Sequence, residues 1–497
     1  MTDWKLVYDK WIPEQQPLRE ALCTLGNGYF ATRGAEEEVK AGKPHYPGTY
    51  LAGGYNRMES EVAGRVIENE VLVNWPNWLY LNFRPENGGW FTPDSVKILD
   101  YVQELDIQNG ILERRIRFRD DKDRQTLLVS RRIVHMENPH LAAIEWTLTP
   151  ENWSGRICIH SALDGKVINA GVKRYSQLNQ NHLEPLETGR EGEDGIFLRV
   201  ETRQSHIQMV QAARTQAYYD SKPITVERKT VQESGYVAQE LSFECEKHRT
   251  IRVEKVVTIY TSRDDAISEP GLDARKELRR AGLFAELLES HKRAWSTLWH
   301  RVDIDINKIN KARLILRLHI FHLIQTTSMN TIDLDVGVPS RGLHGEAYRG
   351  HIFWDELFIF PFLNLRMPEL TRTLLMYRYR RLGEARHAAQ EAGFKGAMFP
   401  WQSGSNGREE NQILHLNPKS GKWDPDNTYL QRHVNAAIAY NVWQYYQAAD
   451  DMEFLSFYGA EMILCIAHFW SSIAVYNPDR DRYEIRGVVG PDEYHTQ

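Results

Sequence analysis

The sequence predicts a multidomain β-plus-α protein, in which an N-terminal antiparallel β-sandwich precedes a domain of paired helices. The chain has 497 residues, which corresponds to two to four domains at roughly 150 residues each. From about residue 65 to residue 263, short segments alternate apolar and polar side chains. Beyond Ser262-Arg263-Asp264 the apolar spacing becomes helical. The secondary-structure type is therefore expected to change once, near residue 265.

The predicted strands are short segments separated by turn-forming groups such as Glu137-Asn138-Pro139. Because they follow one another without intervening helices, they favour an antiparallel sandwich over a parallel sheet. The clearest of them are residues 127–135, 141–149, 156–163, 197–201, 207–213 and 253–260.

The second part of the chain contains five segments with helical spacing. Pro368 suits the first turn of one helix, and Asp450-Asp451 marks a break between two others. The five are residues 272–299 (one or two helices), 313–329, 368–380, 430–447 and 452–472. Two long stretches rich in Gly and aromatic residues, 331–354 and 394–427, are predicted to be functional loops.

Composition argues against several classes of protein. Lys plus Arg is 61 and Asp plus Glu is 67, giving a net charge of −6. No basic stretch is interleaved with aromatic residues, so we expect neither a nucleic-acid partner nor an anionic membrane partner. No apolar run approaches the ~18 residues needed to span a bilayer, and the N-terminus has no signal-peptide pattern. Four widely separated cysteines predict reduced thiols and a cytoplasmic location.

Cofactor and metal motifs are absent from the sequence. No dinucleotide-binding G-x-G-x-x-G and no phosphate-binding G-x-x-x-x-G-K-[ST] occurs. The segment 403–407 lacks the first glycine of a serine-hydrolase elbow. His344 and His351 lie seven residues apart, without suitably arranged additional ligands. We therefore expect no cofactor and no metal.

Three segments place carboxylates beside aromatic residues, a combination that suits a sugar, whose hydroxyls donate to carboxylates while its C–H faces lie on aromatic rings. They are residues 349–356, 396–410 and 487–495. Each also has a purely structural explanation. Asp355 or Glu356 would cap a helix, Phe399-Pro400-Trp401 would anchor a buried loop, and the last segment would form a surface turn. The 14 tryptophans likewise fit either sugar-binding surfaces or large cores.

Together, these segments resemble glycoside hydrolase family 65, which contains inverting maltose, trehalose and kojibiose phosphorylases and some α-glucoside hydrolases. The similar motifs follow the family's order along nearly the whole chain. They are Leu-Gly-Asn-Gly-Tyr-Phe at 25–30, Asn-Trp-Pro-Asn-Trp-Leu at 74–79, Arg-Gly-Leu-His-Gly-Glu-Ala-Tyr at 341–348, Phe-Trp-Asp at 353–355, Phe-Pro-Trp at 399–401 and Gly-Pro-Asp-Glu-Tyr-His at 490–495.

The resemblance implies a division into an N-terminal β-sandwich (1–265), a helical linker (266–306) and the first part of an (α/α)6 catalytic barrel (307–497). It also implies that Glu493 is the general acid and that Trp354 and Asp355 hold a glucosyl unit. The family usually has Thr after the Trp-Asp pair, where this chain has Glu356. The other residues implied to line the cleft are Trp401, Arg349, His351 and Glu410.

The implied reaction cleaves an α-linked glucosyl disaccharide with inversion. Glu493 would protonate the glycosidic oxygen while inorganic phosphate attacks C1 from the opposite face, giving β-glucose 1-phosphate. One alternative is a hydrolase that uses water, for example on a kojibiose-type α-1,2 bond. A second alternative, of another class, is a non-catalytic sugar-binding fragment.

The resemblance carries two further expectations. The family places the phosphate-binding residues, or the hydrolase's second carboxylate, downstream of the Glu493 motif. We therefore expect the chain to be C-terminally truncated, with an incomplete barrel. A homodimer formed through the N-terminal domain is also compatible with the family.

Overall fold

The N-terminal half is a β-sandwich and the C-terminal half is helical in a computed structural model, which describes residues 3–62, 64–307, 310–417 and 419–491. Most strands precede residue 262. They are β1 Lys5–Tyr8, β2 Leu25–Gly26, β3 Phe30–Thr32, β4 Thr49–Leu51, β5 Tyr55–Val62, β6 Arg65–Leu72, β7 Leu81–Pro85, β8 Lys97–Asp106, β9 Ile111–Arg119, β10 Gln125–Val134, β11 Leu141–Pro150, β12 Gly155–Asp164, β13 Leu183–Glu191, β14 Gly195–Thr202, β15 Gln208–Tyr219, β16 Lys222–Pro223, β17 Glu227–Glu233, β18 Tyr236–Cys245 and β19 Ile251–Thr261.

The helices, with one exception, follow the strands. They are α1 Gln16–Leu22, α2 Pro270–Arg280, α3 Phe284–Val302, α4 Asn310–Thr326, α5 Glu356–Arg366, α6 Pro368–Arg380, α7 Leu382–Glu391, α8 Val434–Ala449, α9 Met452–Phe454 and α10 Ala460–Ile473. Two short hairpins lie among them, formed by β20 Leu414–Leu416 with β21 Trp423–Pro425 and by β22 Ala474–Asn477 with β23 Arg482–Ile485.

Two antiparallel sheets form the sandwich. The larger has ten strands in the order β1-β8-β9-β10-β11-β19-β15-β14-β13, with β16 beside β15, and the smaller has the order β17-β18-β12-β7. All six predicted strands are present, because alternating apolar residues face the space between the sheets. Buried side chains from both sheets fill that space, among them Phe83, Trp146, Ile159, Leu198 and Leu241.

Helices α2 and α3 cover the outer face of the large sheet with Ala274, Leu278 and Phe284. The predicted segment 272–299 is thus two helices. Glu269 caps the first by accepting from the backbone N–H of Gly271 and Leu272. Beyond α3, the helical region is built mainly on α5, α6, α8 and α10, which pack against one another.

Within the helical region, the predicted helices are present and two more appear. Pro368 occupies the first turn of α6, and Asp450, with φ +52°, ends α8. The predicted helix 452–472 contains a π-helical segment, Leu455–Gly459. The start of α5 was predicted, as the helix that Asp355 or Glu356 would cap, but its extent and the whole of α7 were not. Helix α5 is apolar on nearly every side and contains Pro361, so neither its periodicity nor its composition indicates a helix.

One helical stretch, Met452–Ile473, has the length and composition of a membrane span, with 28% of its most apolar window buried. A core helix of a soluble protein can have the same length and composition, so these two properties are weak evidence for a membrane span. Met462, Ile466 and Phe469 pack into the core, and Glu461 forms an ion pair with Arg386 at 2.6 Å.

Candidate active site

A cavity of about 610 Å³ lies where the two predicted loops of the helical half meet the sandwich. Ile352 and Ser403 join these loops through reciprocal backbone hydrogen bonds of 3.0 and 2.9 Å. The lining residues come from three parts of the chain: Arg174 and Tyr175; Ser340, Arg341, Tyr348, Arg349, Phe353, Trp354 and Asp355; and Trp401, Gln402, Asn411, Gln412, Asp426 and Thr428. Four of the residues proposed from the sequence are thus brought together: Trp354, Asp355, Trp401 and Arg349.

Aromatic rings form one side of the cavity. The rings of Trp354 and Trp401 lie 6.3 Å apart at 39°, and Phe353 packs edge-on against Trp401 at 5.6 Å. Trp401 keeps 5% of its surface exposed, and that edge faces the cavity. This wall can cover the apolar face of a sugar ring.

His433 completes this aromatic group and was not recognised in the sequence. Its ring lies 4.9 Å from Trp354 and 5.0 Å from Trp401. Both ring nitrogens are buried without a hydrogen-bond partner among the described residues, and burial lowers the pKa of the imidazole. A neutral imidazole therefore contacts both tryptophans. Nothing in the local sequence around residue 433 indicates this.

Asp355 and Glu356 are adjacent but have different environments. Asp355 lies at the start of α5, but its side chain caps no backbone N–H. It lines the cavity, and burial raises the pKa of its carboxyl despite the opposing charge of Arg341. Glu356 is 2% exposed and pairs with Arg378 at 2.9 Å. Asp355 is thus available to a ligand, whereas Glu356 is a structural ion-pair partner.

Glu409 fixes the loop that carries Trp401. Its carboxylate accepts from the backbone N–H of Trp401 at 2.7 Å, of Gln402 at 3.1 Å and of Asn411 at 3.0 Å. Burial raises the pKa of Glu409 to about 7, against the lowering effect of these donors. The Phe-Pro-Trp run is therefore both an anchored loop and a cavity wall.

His351 and Glu410, which the resemblance places in the cleft lining, lie behind the wall and do not line this cavity. His351 has no exposed surface, and its Nδ1 lies 2.8 Å from Nε2 of Gln402, which does line the cavity. Glu410 is bound by Arg57 at 2.5 and 3.1 Å. In short segments that pair like strands, successive side chains point to opposite sides. The side chains of His351 and Glu410 are therefore turned away from the cavity and toward the hairpin of β5 and β6.

Arg349 joins the cavity to the same hairpin. It donates to Asn69 Oδ1 at 2.9 Å and to the carbonyl of Glu410 at 2.5 Å. Tyr348, Arg349 and Gly350 all have a left-handed backbone conformation, with φ values of +53°, +55° and +70°. Two consecutive non-glycine residues in this region cost about 1–3 kcal/mol each. Such strain often accompanies a functional site, where the surrounding structure holds it in place.

The sandwich also contributes to the cavity, which the sequence did not indicate. The segment that carries Arg174 and Tyr175 is held by Glu346, a buried residue of the helical half. Glu346 accepts from the backbone N–H of Gly171 at 2.9 Å and from the hydroxyl of Tyr46 at 2.5 Å. These contacts join residues far apart in sequence, so no local pattern predicts them.

Glu493 lies outside the described residues. The chain leading to it lines a second cavity, of about 950 Å³, with Gly490, Pro491 and also His433. Val489 donates its backbone N–H to the carbonyl of Leu430 at 3.1 Å, which holds this approach beside the start of α8. Among the described ranges of the chain, no group of three His, Cys, Asp or Glu side chains is arranged for a metal ion.

Comparison with protein families identifies both halves of the chain. Residues 6–298 match the N-terminal domain of glycosyl hydrolase family 65, and residues 317–497 match that family's central catalytic domain. The chain belongs to glycosyl hydrolase family 65. A solved structure, provisionally described as a kojibiose phosphorylase from the human microbiome, superposes with a TM-score of 0.85 at 22% identity, covering 99% of this chain and 62% of the other. This confirms the fold class.

Several curated members of family 65 are similar over 99% of this chain. An uncharacterised glycosyl hydrolase of Mycobacterium tuberculosis is 45% identical, and the match covers 37% of that protein. The kojibiose phosphorylase of Caldanaerobacter subterraneus is 34% identical, with 63% of it covered. The trehalose 6-phosphate phosphorylase of Lactococcus lactis is 33% identical, with 62% covered. The chain thus spans between about one third and two thirds of these relatives, and its truncation stays a prediction.

Proposed function

We propose that this family 65 protein is an inverting phosphorylase that cleaves an α-linked glucosyl disaccharide with inorganic phosphate and releases β-glucose 1-phosphate. The observation that carries the proposal is the cavity in which Trp354, Asp355 and Trp401 converge. The reactions named for the Caldanaerobacter and Lactococcus relatives support it.

The cavity residues suit distinct roles toward a glucosyl unit. Trp354 and Trp401 cover the apolar face of the ring, and Asp355 accepts hydrogen bonds from its hydroxyls. We assign the general acid to Glu493, which gives its proton to the glycosidic oxygen as the bond from that oxygen to C1 breaks. A phosphate oxygen forms the new bond to C1 from the opposite face, which inverts the anomeric configuration. Inorganic phosphate is thus a co-substrate, and the proposal requires no cofactor.

The experiment is an assay of the protein expressed from its complete reading frame. Kojibiose, maltose, nigerose and trehalose are each incubated with and without phosphate, and the release of sugar is followed. We expect cleavage that requires phosphate. Equal rates without phosphate would indicate a hydrolase, and binding without cleavage of any α-glucosyl disaccharide would indicate a non-catalytic sugar-binding protein.

A variant tests the assignment of the acid. Glu493→Gln keeps the size of the side chain but removes the proton that it donates, so we expect turnover to fall at least ~100-fold. Glu453→Gln, on the exposed surface of α9, is the matched control and should retain activity. Turnover of Glu493→Gln near that of the wild type would exclude this role.

We also infer the organisation of the molecule. The domain division is 1–265, 266–306 and 307–497, which limited proteolysis would test through cleavage near residues 265 and 306. All four cysteines are free thiols, which supports a cytoplasmic location. A homodimer through the N-terminal domain is tested by the mass in solution.

A further inference from the structure

The proposed reaction leaves one side of the cavity without a role. Three guanidinium groups line the cavity, those of Arg174, Arg341 and Arg349, together with two carboxylates, those of Asp355 and Asp426. The lining therefore has an excess of positive charge, which a neutral disaccharide does not need. The phosphate co-substrate does not account for it either, because the family resemblance places the residues that bind inorganic phosphate downstream of Glu493. This excess indicates that a ligand of opposite charge enters the cavity.

Two of these arginines form no direct ion pair with the carboxylates that the structure describes. Arg349 is buried, and Asn69 and Glu410 take up its donors. Arg174 and Arg341, in contrast, form no direct ion pair with a carboxylate among the described residues, although the charge of Arg341 acts on the nearby Asp355 carboxyl. Both are exposed at the mouth of the cavity, so both guanidinium groups can bind an anion there.

Neither side chain is an isolated surface group. The guanidinium of Arg341 lies 5.3 Å from the centre of the Tyr348 ring, which places it beside the left-handed turn of the cavity wall. The segment that carries Arg174 is fixed on both sides, because Gly171 donates to Glu346 at 2.9 Å and Gln177 accepts from Trp423 at 3.1 Å. A side chain on a fixed segment loses less conformational entropy when it binds.

We propose that Arg174 and Arg341 bind a phosphoryl group carried by the leaving sugar, so that the substrate is a phosphorylated α-glucosyl disaccharide. This rests on the proposed function, in which Trp354, Asp355 and Trp401 hold the unphosphorylated glucosyl unit. A phosphate monoester has charge close to −2 and three acceptor oxygens, which suits two guanidinium groups better than sugar hydroxyls do. Inorganic phosphate has the same chemistry, so the test must separate the two.

The first experiment measures binding to the 497-residue chain by isothermal titration, with glucose 6-phosphate, glucose and inorganic phosphate as separate ligands. We expect glucose 6-phosphate to bind at least ~30-fold more tightly than either of the others, on the scale of two charge-assisted hydrogen bonds. Arg174→Gln combined with Arg341→Gln should remove most of that difference. Arg190→Gln, an exposed arginine of β13 outside the cavity, is the control and should change none of the three affinities.

Two binding results would overturn the proposal. One is equal affinity for glucose and glucose 6-phosphate. The other is a double variant that weakens inorganic phosphate as much as it weakens glucose 6-phosphate, which would show that the arginines bind the co-substrate.

The second experiment separates failure of this inference from failure of the proposed function. Phosphorolysis of trehalose 6-phosphate and of maltose 6-phosphate, in which the phosphate is on the reducing glucose that leaves, is compared with that of trehalose and maltose. Higher kcat/KM for a phosphorylated substrate, lost through KM in the double variant, supports the inference. Cleavage of only the unphosphorylated sugars overturns it and leaves the proposed function standing. If no disaccharide is cleaved, the proposed function fails, and the titration alone decides whether the arginines bind a sugar phosphate.

Discussion

At the scale of single residues, the contrast between Asp355 and Glu356 separates function from stability. The Asp355 carboxylate faces the cavity and caps no helix. Asp355→Asn keeps the shape of the side chain but removes the negative charge of the carboxylate, which accepts hydrogen bonds from sugar hydroxyls. We expect at least a ~10-fold loss in affinity for a glucosyl ligand, the scale of one hydrogen bond to a charged group. The midpoint of thermal unfolding should stay close to that of the wild type. Titration calorimetry and a thermal melt check the two results.

The neighbouring substitution, Glu356→Gln, is the matched control. It leaves the buried Arg378 guanidinium without its ionic partner. Breaking a buried pair in this way typically costs about 3–5 kcal/mol of stability. We therefore expect a large loss of stability from Glu356→Gln and a large loss of binding from Asp355→Asn. The reverse pattern would contradict the roles assigned to the two carboxylates.

A buried lysine in the sandwich predicts a pH dependence of stability. Lys255 has no exposed surface, and among the described residues it donates only to the carbonyls of Tyr80 and Ala162. Burial lowers its pKa from 10.5 to about 7. Between pH 7 and pH 10.5, Lys255 holds a proton in the unfolded chain but has lost it in the folded chain. The free energy of unfolding should therefore rise with pH above 7. The slope approaches about 1.4 kcal/mol per pH unit.

Urea unfolding of the wild type and of Lys255→Met at pH 6.5, 7.5 and 8.5 measures this slope. Lys255→Met should lack the increase. Lys229→Met, at an exposed position of β17, should retain it. Identical slopes in all three proteins would show that Lys255 does not titrate in this range.

At the scale of elements, the hairpin of β5 and β6 supports the cavity from behind. Arg57 pairs with Glu68, Glu70 and Glu410, and Glu410 in turn accepts from Arg349 of the wall. Arg57→Gln should therefore lower the affinity for a glucosyl ligand by about 10-fold, on the scale of a hydrogen bond to a charged group, although Arg57 does not line the cavity. Arg65→Gln, at the exposed end of the same hairpin, is the control. Equal affinities of the two variants in calorimetry would refute the supporting role.

Gly350 tests how closely this hairpin must approach the strained turn. Its φ is +70°, and an added Cβ would lie 2.4 Å from Cβ of Leu72. Gly421, in the β20–β21 hairpin, also has φ +70° but has open space around it. Gly421→Ala should cost only the backbone strain, about 1 kcal/mol. Gly350→Ala should cost at least ~2 kcal/mol more because it overpacks the contact. Similar unfolding midpoints would contradict the close approach.

At the scale of the whole molecule, features that depend on local patterns were predicted well. The six strands alternate because each has one face in the core. The cavity residues Trp354, Asp355 and Trp401 could be identified because their chemistry lies within single short segments. The start of helix α5 was predicted, but its extent was not, because Pro361 and apolar residues on all sides hide its period.

The rest of the site depends on tertiary contacts that no single segment shows. Arg174 reaches the cavity because Glu346 holds the segment that carries Arg174 against the helical half. His433 contacts Trp354 and Trp401 only through the packing of α8. His351 and Glu410 have suitable chemistry and lie in suitable segments, but their side chains point away from the cavity. Sequence identified the segments of the site, and the structure was needed for the direction of each side chain.

The central claim is that this family 65 protein transfers a glucosyl unit to phosphate with inversion. The most direct test is a proton NMR time course of cleavage of an α-glucosyl disaccharide in phosphate buffer, with the protein expressed from its complete reading frame. The account predicts β-glucose 1-phosphate as the first product. α-Glucose 1-phosphate, or free glucose without any sugar phosphate, would contradict it.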